Sequence, residues 1–249
     1  MRATGPTRVD LGDRWYRRSV PRPYDPRVPL PVVIDLHGYS EGAISHALTT
    51  KFEDLGAKQH FVTVTPQATG EIPAWDLSRT GRDVVFVADV LNDVEAHLCI
   101  DEHRVYVAGH SMGAMLLSVL ACSTFATRVA AWAPVAGLHD VPGCATSGEP
   151  VIVHHGTDDH TVFYGGGLSD AASKRLFLRD DGPPIPALVA SWAERNGCGN
   201  AIPTVQVSGG VTVQTYPCDV VLRTINHGPH VWPADATRVI WDFFATHSS

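Results

Sequence analysis

The segment at positions 105–114 reads VYVAGHSMGA, and it decides the fold. Its first residues are mostly β-branched or aromatic, which predicts a buried strand, and Met112 opens a stretch with the composition of a helix. Between strand and helix stands the pattern G-x-S-x-G, at Gly109, Ser111 and Gly113. A serine on such a sharp turn projects its hydroxyl from the edge of the sheet. The pattern therefore predicts that Ser111 is a nucleophile, and the alternative is an ordinary glycine-rich turn that contains a serine.

Further strands and helices alternate along the rest of the chain. Short apolar runs, typical of strands buried on both faces of a parallel sheet, occur at 32–36, 61–65, 105–108 and 151–153. Helices are predicted at 83–94, 112–121, 187–196 and 235–245. This alternation predicts an α/β fold, with a doubly wound, mostly parallel sheet and helices on both faces.

The length of 249 residues, without a repeat or a low-complexity linker, favours a single domain over positions 1–249. Two segments resist assignment to a helix or a strand. Positions 1–13 are expected to form a loosely ordered arm, and positions 165–186, which contain several glycines and prolines, an irregular insertion. The insertion follows a predicted strand end, where α/β enzymes build their sites, so we expect it near the active site.

The balance of charges excludes some classes of partner. The chain has 19 Lys and Arg against 26 Asp and Glu, a formal net charge of −7, and it has no block of basic residues. Such a chain is a poor candidate for binding nucleic acid or an anionic membrane surface. No apolar run reaches the roughly 18 residues of a membrane helix, and the first residues lack the apolar region of a secretory signal. A cytoplasmic protein is one interpretation of these absences.

A nucleophilic serine needs hydrogen-bond donors for the negative charge that develops on the substrate oxygen. The amide of Met112, at the start of the helix after Ser111, is one predicted donor. The segment His37-Gly38-Tyr39 closes another strand, and its glycine allows the backbone to approach a substrate closely. We therefore predict the Tyr39 amide as the second donor, and His37 as a structural residue that holds this loop.

An acid and a base that serve the serine are expected later in the chain, in that order. Asp158 and Asp159 follow a predicted strand, and either carboxylate suits the orientation of an imidazole. His227 and His230 lie in the loop before the last helix, and either suits the acceptance of the serine proton. The residues alone leave both choices open.

Three histidines beside these aspartates suggest a metal site as an alternative. They are His154, His155 and His160. Ligands crowded onto one turn rarely surround an ion, and the five cysteines include no C-x-x-C pair. We therefore expect neither a metal nor another cofactor.

Five segments together resemble a known family. They are 31–38, 99–114, 133–137, 155–159 and 230–233, and the resemblance extends from about Arg14 to the last helix. With them the chain is similar to the α/β-hydrolases of the group that contains polyhydroxybutyrate depolymerases, feruloyl esterases and acetylxylan esterases. The resemblance implies the α/β-hydrolase fold and a serine hydrolase that needs no cofactor.

The resemblance also implies which of the paired candidates are functional. The family pattern H-G-T-x-D-x-x-V places the acid at Asp159, and the pattern G-H-x-W-P places the base at His230. Together with Ser111 they make the implied catalytic triad.

Aromatic residues are the candidates for substrate binding. Trp75 resembles a loop tryptophan of the family, which implies that it lines the acyl or sugar pocket. Trp232 either does the same or is a packed aromatic beside the histidine. A polymeric substrate would need an exposed aromatic surface, for which Trp15, Tyr39 and Tyr164 are further candidates.

The resemblance implies a disulfide between Cys198 and Cys218, which match cysteines that family members often join. Cys122 and Cys144 form a second candidate pair, which leaves Cys99 free. Disulfides persist in oxidising compartments. We therefore expect a secreted or extracellular protein whose signal peptide is absent from this chain, with a cytoplasmic protein as the alternative.

Together these inferences predict a serine carboxylic-ester hydrolase that forms an acyl-enzyme on feruloyl or acetyl esters of plant polysaccharide. One alternative substrate is a polyester of the polyhydroxyalkanoate type. An alternative of another class is a non-catalytic α/β-hydrolase domain that binds a ligand or partner. The sequence predicts no oligomeric state.

Overall fold

A computed structural model describes residues 5–144, 149–167, 182–199 and 201–249. The strands in this part of the chain are β1 (Gly5–Leu11), β2 (Arg14–Val20), β3 (Leu30–Leu36), β4 (Val62–Pro66), β5 (Ile100–His110), β6 (Ala131–Val135), β7 (Val151–Gly156), β8 (Thr204–Ser208), β9 (Val211–Tyr216) and β10 (Val220–Ile225). The α-helices are α1 (Ala43–Thr50), α2 (Phe52–Gln59), α3 (Arg82–His97), α4 (Met112–Ala121), α5 (Ile185–Arg195) and α6 (Ala236–Phe244). A short 3₁₀ helix covers Thr124–Arg128.

The strands form one sheet in the order β1-β2-β4-β3-β5-β6-β7-β10-β9-β8. The strands from β4 to β10 in that order are parallel to one another. Antiparallel hairpins flank them, β1 with β2 at one edge and β8 with β9 at the other. The parallel strands end at one edge of the sheet, and β5 at its centre leads directly into the segment that carries Ser111.

The sheet has a hydrophobic layer on each face. Alternate residues of a strand point to opposite faces, so Val32 and Ile34 belong to one layer and Val33 to the other. Helices α3, α4 and α5 pack in the first layer, whereas α2 and α6 pack in the second. This arrangement confirms the predicted α/β class with helices on both faces.

Two expectations about irregular segments have different outcomes. Positions 5–11 form β1, which pairs with β2 from Gly5 to Leu11, so the expected loose arm over 1–13 is wrong for these residues. In β1 the charged Arg8 and Asp10 lie on the exposed face and the other face is only half-buried, so the segment resembles a loop in composition. Of the predicted insertion at 165–186, positions 168–181 lie outside the described residues.

Two disulfides join distant parts of the chain. One links Cys198, after α5, to Cys218, before β10, and the other links Cys122, at the end of α4, to Cys144. Cys99 is in no disulfide. Within the described ranges, no helix has both the length and the apolar character needed to cross a bilayer.

Candidate active site

Ser111 stands at the sharp turn between β5 and α4. Its φ of 54° and ψ of −119° lie outside the regions that residues with a side chain normally adopt. Glycines make the turn sterically feasible, because a Cβ at Gly113 would lie 2.1 Å from the carbonyl oxygen of Leu36 and one at Gly109 2.6 Å from that of Gly113. The Ser111 amide donates to the Val135 carbonyl at 2.9 Å. The turn is therefore held against both neighbouring strands, β3 and β6.

His230 connects Ser111 to a buried carboxylate. Its Nε2 lies 2.9 Å from Ser111 Oγ, and its Nδ1 lies 2.7 Å from Asp159 Oδ2. The imidazole side chain is 19% exposed, so one edge remains open to solvent. Since an ionised carboxylate only accepts hydrogen bonds, Nδ1 carries the proton and Nε2 is left as the acceptor for the serine hydroxyl.

Asp159 is held by four donors. The amides of Thr161 and Val162 donate to Oδ1 at 2.8 and 2.9 Å. His155 Nε2 lies 3.2 Å from Oδ2, in addition to His230. Burial alone would raise the pKa of Asp159, but the hydrogen bonds from His155 and His230 outweigh it and hold this pKa well below its usual range. The carboxylate is therefore ionised at neutral pH and fixed in orientation.

The sequence left open the choice between two aspartates and the choice between two histidines. In the structure, the members of each pair have different surroundings. Asp158 is half-exposed, and its Oδ2 lies 3.3 Å from the Nδ1 of His227, whose side chain is 90% exposed. Both residues are thus on the surface and paired with each other. The residues brought to Ser111 are Asp159 and His230.

Two backbone amides are available next to Ser111. Met112 is the first residue of α4, where amides have no acceptor within the helix. The loop after β3 lies against the serine, since a Cβ at Gly38 would be 3.4 Å from Ser111 Cβ. Tyr39 follows Gly38 in this loop, and its side chain is exposed. Both predicted oxyanion donors are therefore near the serine.

Hydrogen bonds of His37 and Trp75 hold this loop in place. His37 is fully buried, with Nδ1 2.8 Å from the Gly38 carbonyl and Nε2 accepting from the Ala68 amide at 3.0 Å. Burial lowers the pKa of His37 to about 4, so the ring is neutral. Trp75 Nε1 donates to the His37 carbonyl at 2.7 Å, and the two rings are in contact, with centroids 4.7 Å apart.

The expected role of Trp75 in the substrate pocket therefore needs correction. Its side chain is only 3% exposed and belongs to the hydrophobic core. A residue without accessible surface cannot contact an acyl or sugar group. The resemblance identified the position of the tryptophan but not the direction in which its ring packs.

The other aromatic candidates are mostly packed against the protein. Trp232 donates through Nε1 to Thr237 Oγ1 at 3.0 Å, and its ring meets His46 and Phe52 edge to face. Of the two roles left open for Trp232, this is the packed one. The Tyr164 hydroxyl lies 2.9 Å from Thr224 Oγ1 on β10. Trp15 lies on β2, remote from Ser111 in the strand order, with the Arg8 guanidinium over its ring.

The three histidines beside the acid occupy different environments. His154 is fully buried, and its Nδ1 lies 3.2 Å from Arg223 Nη1. Burial, with the nearby Arg223 charge, lowers the pKa of His154 to about 3. His155 contacts Asp159, whereas His160 is exposed. Adjacent strand residues point to opposite faces of the sheet, which separates His154 from His155.

A small cavity lies beside α4. Its volume is about 40 Å³, and its lining includes Met115, Leu138, Val162 and Ile185. Met115 donates its amide to the Ser111 carbonyl, which places the cavity one helical turn from the nucleophile. Positions 166 and 167 of the predicted insertion also line it. The described part of that insertion therefore lies at the same cavity as Met115.

A buried cluster near the serine was not predicted. It consists of Asp35, Glu41 and His46. These residues lie in three different segments: β3, the loop after it and α1. No motif marks it. The one signal in the sequence was a histidine at an inward-facing position of α1. A single buried histidine is a weak signal for a charged cluster.

Comparisons with known proteins agree with the resemblance. The chain is 33% identical over 136 residues to a bifunctional acetylxylan esterase/xylanase of Neocallimastix patriciarum, a match that covers 54% of this chain and 20% of that protein. It is 31% identical over 176 residues to feruloyl esterase B of Piromyces equi, a match that covers 65% of this chain and 31% of that protein. The chain thus spans about a fifth and a third of the lengths of these relatives. No family model matches it.

A solved structure extends the likeness to almost the whole chain. An acetyl xylan esterase from Aspergillus awamori superposes with a TM-score of 0.74 over 97% of this chain and 99% of that one. The two sequences are 16% identical. At this identity the likeness is one of fold.

Proposed function

We propose that this chain, which has the α/β-hydrolase fold, is a serine carboxylic-ester hydrolase. The observation that carries the proposal is the continuous hydrogen-bonded line from Ser111 Oγ through His230 to Asp159, with distances of 2.9 and 2.7 Å. A non-catalytic domain has no need to hold these three groups in line at the end of a strained turn.

The proposed reaction begins when Ser111 Oγ attacks the ester carbonyl. His230 Nε2 takes the serine proton and then gives it to the departing alcohol oxygen. Asp159 stabilises the imidazolium that forms in between and holds its Nδ1–H in place. Water then attacks the acyl-enzyme with the same assistance from His230, and the carboxylic acid leaves. No cofactor takes part in these steps.

The negative charge of each tetrahedral intermediate falls on the former carbonyl oxygen. We assign its stabilisation to the amides of Met112 and Tyr39. The start of α4 adds the partial positive charge of a helix N-terminus. This assignment is supported by the place of both amides beside Ser111.

We propose feruloyl or acetyl esters of plant polysaccharide as the substrate class. The support is the similarity to enzymes whose names state these activities. The exposed Tyr39 side chain at the edge of the site would suit contact with an aromatic or sugar ring.

The test uses the purified full chain with four substrates. They are methyl ferulate, feruloylated arabinoxylan, acetylated xylan and a polyhydroxybutyrate film. Release of ferulate or acetate from the polysaccharides, with little product from the film, is the expected result. The reverse order of rates would favour the polyester alternative.

Ser111→Ala is the control for the mechanism. It is expected to lower kcat by about 10³-fold or more, because no other nucleophile among the described residues is aligned with His230. A fluorophosphonate probe should label the wild-type protein at Ser111 and leave the variant unlabelled. Activity near that of the wild type in the variant would refute the proposed mechanism.

We also propose that the protein works in an oxidising compartment. Two disulfides in one chain support this, since such bonds are rare where glutathione keeps thiols reduced. The negative net charge argues against nucleic acid as a partner. Mass spectrometry under native conditions is the measurement that would find the intact bonds.

A further inference from the structure

A charged cluster lies buried beneath the loop that carries Tyr39. His46, on α1, is fully buried between two carboxylates. Its Nε2 lies 2.9 Å from Asp35 Oδ1, and its Nδ1 lies 3.0 Å from Glu41 Oε2. Asp35 also accepts from the Thr50 hydroxyl at 2.6 Å. The cluster therefore joins the end of β3 to α1 and to the loop between them.

Both ring nitrogens of His46 face carboxylate oxygens, so both must act as donors, and His46 is an imidazolium. Burial alone would lower the pKa of His46, but Asp35 and Glu41 raise it to about 9. Burial likewise opposes ionisation of Glu41, but the His46 contact lowers the Glu41 pKa to about 2. The carboxylate of Glu41 is thus charged and held in one position.

Glu41 uses the same oxygen to hold the loop. Its Oε2 accepts from the Gly38 amide at 3.0 Å. The Glu41 side chain is 23% exposed, so its carboxylate bridges the buried histidine and the more open loop. A charge-assisted hydrogen bond of this kind is stronger than one between neutral groups.

The hydrogen bonds of the loop leave one amide for a substrate. The Gly38 amide donates to Glu41, the Ser40 amide donates to the Pro73 carbonyl at 2.9 Å, and the Glu41 amide donates to the Gly38 carbonyl at 3.3 Å. Within the described residues, the Tyr39 amide is the one of these four consecutive amides without an acceptor. The peptide plane that carries this N–H is joined to Gly38.

We propose that Glu41, anchored by His46 and Asp35, is a positioning residue: it holds the Gly38 N–H, in the peptide directly before the Gly38–Tyr39 peptide, and so aims the Tyr39 N–H at the oxyanion. The inference rests on the proposed esterase function and names a residue outside the catalytic triad. Glu41 does not touch the substrate in this account. It acts through the orientation of one backbone donor.

Two variants distinguish the effect of the length of the Glu41 side chain from the effect of its charge. Glu41→Gln keeps an oxygen at the same distance along the side chain but removes the charge, and kcat should stay within about threefold of the wild type. Glu41→Asp keeps the charge but withdraws the carboxylate by one methylene, and kcat should fall roughly 10- to 100-fold, somewhat less than after loss of an oxyanion donor. KM should change little in both, since the oxyanion is absent from the bound substrate and forms only as the reaction proceeds through the tetrahedral intermediate.

A boronic acid that forms a tetrahedral adduct with Ser111 provides the second measurement. Its inhibition constant should rise in Glu41→Asp by the same factor by which kcat/KM falls. The matched control is Glu53→Ala, which removes a carboxylate of similar burial that pairs with Arg17 on β2. That control should lower the melting temperature without a change in kcat or in boronic acid affinity.

The outcomes distinguish this inference from the proposed function. An active Ser111→Ala variant would overturn both. If Ser111→Ala is inactive while Glu41→Asp keeps the kcat and boronic acid affinity of the wild type, only the role of Glu41 is refuted. A loss in Glu41→Gln as large as that in Glu41→Asp would show that the reach of the side chain does not decide the effect, and it would refute the positioning role.

Discussion

His155 Nε2 lies 3.2 Å from Asp159 Oδ2, the oxygen that also receives the Nδ1–H of His230. The same His155 nitrogen lies 2.8 Å from the Val162 carbonyl, so its proton is shared between two acceptors. The ring is buried, and its other nitrogen, Nδ1, has no hydrogen-bond partner in the part of the chain that the structure describes. Asp159 is therefore oriented by a histidine on each side, and one of them never meets Ser111.

We expect His155→Phe to lower kcat about tenfold, which corresponds to about 1.4 kcal/mol of transition-state stabilisation. The variant removes a donor from Asp159 and leaves the carboxylate freer to rotate away from His230. KM should remain close to that of the wild type. Steady-state kinetics on a soluble aryl acetate is the measurement. The control is His160→Phe, at an exposed site of the same segment, and equal losses in the two variants would contradict the prediction.

Trp75→Phe tests whether this tryptophan holds the loop or binds the substrate. The change removes the hydrogen bond from Nε1 to the His37 carbonyl. A loosened loop should lower kcat about three- to tenfold while KM stays unchanged, because the loop carries an oxyanion donor. A residue of the substrate pocket would instead change KM.

Trp192→Phe is the matched control for Trp75. Trp192 lies on α5 and is also buried, and its Nε1 donates to the Glu149 carbonyl at 3.3 Å. Both variants should lose about 1 kcal/mol of stability with the lost hydrogen bond. A fall in kcat in Trp192→Phe as large as that in Trp75→Phe would assign the effect to stability alone.

Features with a short local sequence pattern could be predicted from the sequence, whereas the packing of individual side chains could not. The central strands and the nucleophile turn follow from local signals, because a buried strand and a G-x-S-x-G turn each have a short pattern. The choice of Asp159 over Asp158 came from the resemblance, since adjacent carboxylates have the same local chemistry. Trp75 shows the limit of that resemblance, which gives a position but not its burial.

The cluster of Asp35, Glu41 and His46 lies beyond sequence reasoning for a different reason. Each residue is ordinary in its own segment, and the contacts arise only when α1 packs beside the end of β3. A buried histidine between two carboxylates leaves no periodic pattern. The edge hairpin of β1 and β2 was missed because a half-exposed strand with charged residues resembles a loop in composition.

Acid should destabilise the protein partly through His154. Its folded-state pKa of about 3 lies below the ordinary value of 6.5, so the unfolded chain binds a proton that the folded one does not. The resulting penalty is absent above pH 6.5 and grows as the pH falls toward 3. In urea denaturation between pH 7 and 4, His154 should contribute up to about 1.4 kcal/mol per pH unit to the slope of the unfolding free energy against pH.

His154→Asn should flatten that slope and leave the remainder to His37 and His110, whose pKa values burial lowers to about 4 and about 3. Asparagine keeps an acceptor for Arg223 but has no proton to gain. The control is His60→Asn, at an exposed site. An unchanged acid slope in His154→Asn would show that the buried histidine is not responsible.

The disulfide between Cys198 and Cys218 should contribute about 3 kcal/mol to the free energy of unfolding. The two cysteines are 20 positions apart, and the bond restricts the unfolded chain over that loop. Replacement of both by alanine should therefore lower the urea midpoint. Cys99→Ala, which removes a thiol that forms no disulfide, is the control and should cost less than about 1 kcal/mol. Equal losses would argue against a stabilising role for the bond.

Gly137→Ala should impair the site by displacing the turn that carries Ser111. A Cβ at this position would lie 2.2 Å from the carbonyl oxygen of Ser111 and 3.0 Å from Ala114 Cβ, so the nucleophile turn would have to move. Ser111 Oγ would then leave its 2.9 Å contact with His230. We expect kcat to fall about 100-fold, since misplacement of reacting groups by about 1 Å has this effect.

The fall in kcat of Gly137→Ala should be larger than its loss of folding stability can explain. Overpacking of this kind costs typically about 1–3 kcal/mol, which leaves a protein of ordinary stability folded at 25 °C. Gly165→Ala is the matched control, because its added Cβ would have no neighbour within 4 Å and its φ is not positive. Since φ at Gly137 is not positive either, the two variants differ in the contact with Ser111 and not in backbone preference. Activity of Gly137→Ala close to that of Gly165→Ala would show that the turn tolerates displacement, and the strained geometry at Ser111 would then not be needed for catalysis.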